Sequence, residues 1–183
     1  MVAALLSLLA IMSIAASRAG AEPGFTILNA ATRLVDGVHR LDASIGFNFS
    51  ADAIEAMDNG VAVTISVEME VLELGALWDR DVASVHARYR IQVHALSRQY
   101  LVRNLSTGET QTYHRFEDMA DGLGRIEGFP LLDDHVLEKD ANYRVRLRAS
   151  LDIESLPTPL RLLAYFKSAW RLSSEWSTWP LQR

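Results

Sequence analysis

The chain contains no cysteine. That absence removes disulfides, thiolate zinc sites and cysteine nucleophiles in one step, and it suits an oxidising compartment, where a free thiol is a liability. Proline is scarce too, five residues in all, and three of them (Pro157, Pro159, Pro180) lie in the last stretch of the chain. Because proline is kept out of sheet and helix interiors, the body of the chain is free to form continuous elements, and its sharpest corners are expected near the end. No Gly-x-Ser-x-Gly elbow, Ser-x-x-Lys, His-Glu-x-x-His or phosphate-binding loop occurs, so there is no motif to which a catalytic role or a cofactor can be assigned. Repeats, low-complexity tracts and linkers are absent as well.

A basic surplus is also missing. Residues 1–21 hold one arginine and no acid, which leaves 17 basic against 23 acidic residues in the remainder, a net charge of −6. A nucleic-acid binder shows a basic electrostatic footprint, so that class is excluded, and dispersed acidity serves solubility.

At 183 residues, 49% hydrophobic and 22% charged, the chain has the make-up of one globular domain. Residues 2–16, VAALLSLLAIMSIAA, form an apolar run of the length of a signal-peptide core, shorter than the ~20 residues a membrane span wants. Ala19-Gly20-Ala21 supplies the small-x-small pattern of a cleavage site, although nothing basic precedes Arg18. The expectation is a signal peptide over 1–21, a single β-sandwich domain over 25–181 and a periplasmic location. The alternative is an uncleaved N-terminal membrane anchor, which would be the chain's one membrane contact.

Alternating patterns dominate the chain after residue 24. Phe25 to Val35 and Val38 to Phe49 flank Asp36-Gly37, a strong hairpin signal, and Leu41, Ala43, Ile45, Phe47 and Phe49 mark one buried face. Ser50 can cap a short helix through Met57, stopped at Gly60. Val61 to Val71 alternates cleanly, with a change of phase at Leu72 that predicts a bulge or the strand's end. Val85 to Ala95 alternates likewise. A turn centred near Asp79 would place Glu70 opposite Arg88, Glu68 opposite Arg90 and Met69 opposite Tyr89. Gln99 to Leu105 and Glu109 to His114 read as a hairpin across Ser106-Thr107-Gly108, and Phe116, Met119, Ala120 and Leu123 as one helical face. Residues 125–141 read as a loop around Pro130, Tyr143 to Leu151 as a strand, and Leu160 to Lys167 as the last strand. The sum is an all-β chain: an antiparallel β-sandwich of immunoglobulin-like form with two short helices, the alternative being an α+β domain.

The five histidines are dispersed without metal-ligand spacing; His86 and His94 share a strand face ~26 Å apart. Asp133-Asp134-His135 and Trp78-Asp79-Arg80-Asp81 read as solvated loops, and no metal site is expected. Arg144, Arg146 and Arg148 form a basic row on one strand face, and Arg88 and Arg90 form another. Each row has two readings: cross-strand pairing with acids such as Glu68 and Glu70, or a strip for an acidic partner or anionic lipid.

The stretch from Leu151 to Leu181 carries Trp170, Trp176 and Trp179. Rings of that size normally pack, so Trp170 to Leu181 is expected to close the sandwich; exposed together, they would form a partner platform. The order LDI, LPTPL, an aromatic-rich run and then WRLSSEWSTWPL, with Asn59-Gly60-Val61, Trp78-Asp79, Arg88-Tyr89-Arg90, His94-Ala95-Leu96 and Gln99-Tyr100 before it, resembles a proteobacterial exported family known as domain-of-unknown-function family 4390. The resemblance covers nearly all of the chain after residue 24. It implies one exported domain, and it makes the ectodomain of a membrane sensor kinase of the nitrogen-regulation type a candidate partner. The resulting expectation is a non-enzymatic periplasmic interaction domain that binds an envelope protein, with Arg144, Arg146, Arg148, Trp170, Trp176 and Trp179 as candidate partner-binding residues and no cofactor. The alternative is an envelope hydrolase or carbohydrate-active domain, which needs carboxylates, or a histidine and an acid, converging in a pocket.

Overall fold

Asp36 and Gly37 both take positive φ, 51° and 77°, the mirror-image turn whose twist matches that of the strands it joins. They connect β1 (Gly24–Val35) to β2 (Val38–Asn48) with Val35 paired to Val38. A computed structural model describes residues 22–182, so the expected signal peptide lies outside the described residues. Leu41, Ala43, Ile45 and Phe47 on β2, with Phe49 beyond it, are all buried as their alternation predicts. Ser50 then caps α1 (Ala51–Asp58), its hydroxyl accepting the Ala53 N–H at 3.2 Å, and Ala53 and Met57 face the core.

The central hairpin is β3 (Val63–Glu73) and β4 (Arg80–Val93), and β5 (Tyr100–Asn104) and β6 (Thr110–Tyr113) come next. The phase change expected at Leu72 is a register shift between Val71 and Leu72, after which Leu72 is buried along with Val71. The amphipathic helix α2 (Phe116–Gly124) buries Met119 and Leu123. Gly124 lies so close to the Ile45 carbonyl of β2 that a β-carbon there would collide with it.

Residues 125–133 are a strand and not the expected loop: β7 (Arg125–Asp133) pairs antiparallel with β2. Pro130 is tolerated because β7 is an edge strand. Register breaks between His39 and Arg40 and between Leu41 and Ala43, together with Gly128 at φ 60°, erase the period-two pattern that would have announced the strand. The next strand, β8 (Tyr143–Leu151), buries Tyr143, Val145, Leu147, Ala149 and Leu151.

The expected last strand, Leu160 to Lys167, is helical instead: Leu160 to Phe166 belong to the helix α3 (Thr158–Phe166), and Lys167 follows its end. Pro159 sits in its first turn, where a missing N–H costs nothing and the fixed φ is already helical, so this proline starts an element in place of breaking one. The last strand is β9 (Ser177–Pro180), paired to β8. Among the described residues three short α-helices therefore accompany the strands, one more than expected.

The strands form two antiparallel sheets, ordered β1-β2-β7 and β6-β5-β4-β3-β8-β9, the all-β sandwich that the alternation predicts. Their inner faces contribute to one cluster of buried residues running from Phe25 to Leu172, so the chain from residue 22 carries its own core. Along one side the sheets meet where Trp179 of β9 points its indole N–H at the Thr32 hydroxyl of β1, 3.4 Å away. On the other side β4 approaches β7, and α2 packs against β2, β5, β6 and β7. The terminal segment closes the sandwich as expected: Trp170 and Leu172 are buried, and the Leu181 N–H bonds the Tyr143 carbonyl at 3.0 Å.

Candidate functional site

The outer face of the six-stranded sheet holds most of the arginines singled out in the sequence, and strand register decides which of them are neutralised. β3 lies between β4 and β8. On the β8 side Glu70 is opposite Arg146 and Glu68 opposite Arg148, and Arg146 forms an ion pair with Glu70. Arg144 approaches Asp79 at 3.8 Å. Trp176 covers this row, with the Arg146 and Arg148 guanidinium carbons 4.6 and 5.8 Å from its ring centroid, a cation–π arrangement. Trp170 is in the core and Trp179 bridges the sheets, so the three tryptophans share no single exposed platform. In this row Arg146 and Arg144 each meet an acid, whereas the buried Arg148 Nε has no hydrogen-bond partner and its guanidinium is covered by the Trp176 ring.

On the β4 side the expected pairs do not form. The turn is centred near Leu77, and Glu73 is opposite Arg80, which puts Ser84 against Glu70, His86 against Glu68 and Val85 against Met69. The slip is an even number of residues, so every side chain keeps its predicted face while its partner changes. Arg88 now faces Ser66 and Arg90 faces Thr64 on β3. Across the other edge of β4, Arg90 is directly opposite Arg103 of β5. Arg88, Arg90 and Arg103 are all exposed, and among the described residues none has an ion pair or a side-chain hydrogen bond. The neighbouring Ser66 is paired in turn to Ser150 of β8. Three guanidinium groups therefore rise from a floor of small hydroxyl side chains. Like charges directly opposite across a strand pair are destabilising, and a planar fork of donors with no acceptor matches a carboxylate or another oxyanion. Arg103 was not singled out in the sequence; its only signal there is the parity it shares with Leu101 on the outer side of the second hairpin.

A second concavity lies beside α2, between the two sheets. It is a cleft of about 210 Å³ between β4, β5 and the β7 edge, with Glu109, Gln111, Arg125, Glu127 and Tyr89 among its lining residues, and it continues outward past Asp118 and Asp121. Burial raises the Tyr89 phenol above its ordinary value, so this hydroxyl stays protonated and able to donate. No histidine lines the cleft.

The histidines are scattered. His39 is fully buried on β2, with Nε2 2.8 Å from an Asp134 carboxylate oxygen and Nδ1 without a partner. His86 contacts Ser84, His94 contacts Ser97 and His114 contacts Gln99. Among the described residues no cluster of histidine and acid could hold a metal ion. Asp134, read in the sequence as a solvated loop residue, thus serves as the partner of a buried imidazole. No described helix is long and apolar enough to cross a membrane.

No curated protein and no solved structure matches the chain. The family described as Domain of unknown function (DUF4390) matches residues 22–180, nearly the whole described stretch, and the chain belongs to that family.

Proposed function

We propose that the chain is an exported, non-enzymatic interaction domain of a proteobacterial envelope, and that it takes an acidic segment of an envelope protein on the outer sheet face at Arg88, Arg90 and Arg103. The observation that carries this reading is the Arg90–Arg103 apposition, a like-charge pair on adjacent strands beside a third unpaired arginine. Such a cluster costs folding stability and gains an anion site. Export is supported by the apolar run at 2–16, the Ala19-Gly20-Ala21 pattern and the lack of cysteine. The ectodomain of a membrane sensor kinase is the partner that the family likeness suggests, and the row of Arg144, Arg146 and Arg148 with Trp176 would form the rim of the contact.

The test is capture from crosslinked envelopes with the parent protein and with the triple reversal Arg88→Glu, Arg90→Glu, Arg103→Glu. The parent should return a reproducible partner that salt displaces, and the reversal should lose it. A parent that returns nothing reproducible, or a reversal that returns the same set, overturns the reading.

A second reading, an envelope hydrolase or carbohydrate-active domain, has one observation in its favour: Glu109, Glu127 and Arg125 line one cleft with the Tyr89 phenol. Its test is hydrolysis or retention of envelope polysaccharides by the parent and by Glu109→Gln and Glu127→Gln variants.

A further inference from the structure

The helix α3 turns most of its apolar surface outward. Of its nine residues only Ala164 is buried, while Leu162, Leu163, Tyr165 and Phe166 are 59%, 57%, 46% and 86% exposed. Contiguous apolar surface of this kind marks an interaction site, since a soluble fold otherwise keeps such patches small. The polar groups around it already have partners within the chain. Arg161 pairs with Glu154 at 3.7 Å, Lys167 with Asp52 at 3.1 Å, and the Arg171 guanidinium donates to the Tyr165 carbonyl at 3.0 Å. An apolar medium can therefore cover the face while Arg161 and Lys167 keep their acid partners, and the exposed Arg171, bonded to a carbonyl and not to an acid, stays at the polar edge of the patch.

The point where the chain enters the fold indicates the occupant. The Asn48 side-chain amide donates to the Glu22 carbonyl at 2.8 Å, two residues before the Ser50 cap of α1. Asp52, in the first turn of α1, holds Lys167 directly after α3. Residue 22 and α3 therefore share one end of the sandwich. The chain preceding residue 22 includes the uncharged apolar run VAALLSLLAIMSIAA, and a run of that composition partitions into a lipid bilayer. Whether it serves as a cleaved signal or as an anchor, it brings this end of the fold to the lipid first.

We infer that the Leu162–Phe166 face of α3 docks on a lipid bilayer, its leucines and Phe166 entering the interfacial layer and Tyr165 lying at the level of the headgroups. Tyr165 suits that depth, because its ring is apolar while its hydroxyl donates to Glu154. With Arg161 and Lys167 neutralised by their partners, the attachment is apolar in origin and nearly independent of headgroup charge and of salt. This surface is separate from the cluster of Arg88, Arg90 and Arg103 on the strands β4 and β5. The two surfaces stand independently, and failure of one leaves the other intact.

The experiment is flotation of residues 22–183 with vesicles of phosphatidylcholine alone and with vesicles of phosphatidylethanolamine and phosphatidylglycerol, at low and high salt, beside the double variant Leu162→Ser, Phe166→Ser. The parent should float with both compositions and keep floating at high salt, and the variant should lose at least about tenfold in partitioning while keeping the parent's cooperative melt. Failure of the parent to float, flotation only with the anionic vesicles and only at low salt, or equal flotation of the variant overturns the inference. So does sedimentation showing a parent dimer that the variant abolishes, because a second copy of the chain would then be covering the face.

Discussion

The Asp42 carboxylate accepts the Gly128 backbone N–H at 2.7 Å, reaching from β2 into the bulge of β7. Its other oxygen takes the Arg33 Nε–H from β1 at 2.5 Å, so one side chain ties all three strands of the smaller sheet. The Arg33 hydrogen bond first, and then the Gly128 N–H, hold the Asp42 carboxyl below its ordinary value. A folded-state pKa below the unfolded one gives stability that is present above the unfolded value of ~3.9 and is lost as pH falls through the folded value. Asp42→Asn should therefore destabilise the protein by about 1 kcal/mol at neutral pH, discounted for its solvent exposure. The gap between the two melting curves should close below about pH 4. Melts across a pH series check both points, and a gap that persists into acid would mean that packing, not charge, holds the bulge.

Arg103→Glu turns a like-charge apposition with Arg90 into an opposite-charge pair. The variant should be more stable than the parent by ~0.2–1 kcal/mol in denaturant titration, with weaker retention of acidic peptides. Loss of stability would show that the guanidinium groups are satisfied in some other way.

The three C-terminal tryptophans should separate sharply by cost. Trp170, 2% exposed, should cost ~3–5 kcal/mol on change to alanine. Trp176, which covers Arg146 and Arg148 at the surface, should cost only about 0.5–1 kcal/mol. Truncation after Lys167 removes Trp170, Leu172 and β9 together and should leave no cooperative unfolding transition, as read by circular dichroism.

Gly124→Ala drives a β-carbon into the Ile45 carbonyl of β2. Backbone cannot swing aside as a side chain can, so the cost should be ~1–3 kcal/mol or more. The same change at Gly24, where a β-carbon meets nothing within 4 Å, is the control and should leave the melting temperature near that of the parent.

Local chemistry was enough to place most elements. Asp36-Gly37 dictates its turn because few residues other than glycine, asparagine and aspartate tolerate positive φ, and the alternations of β2, β3 and β8 dictate their buried faces because the side-chain period of a strand is two whatever it pairs with. The Ser50 cap of α1 and the helical spacing of α2 are equally local. β7 escaped because a bulged edge strand with a proline keeps no period, and its strand character comes from β2 alongside it. α3 escaped because Pro159 reads equally as a breaker or as a helix start, and the residue that ties the helix to the fold, the buried Ala164, is known only from its tertiary surroundings. The arginines show the same division most clearly. Sequence parity by itself determined that Arg88, Arg90, Arg144, Arg146 and Arg148 all point away from the core. Which of them would meet an acid was decided only by the tertiary structure, because partners on different strands depend on where each turn is centred, and a turn displaced along the chain exchanges every partner while leaving every face unchanged.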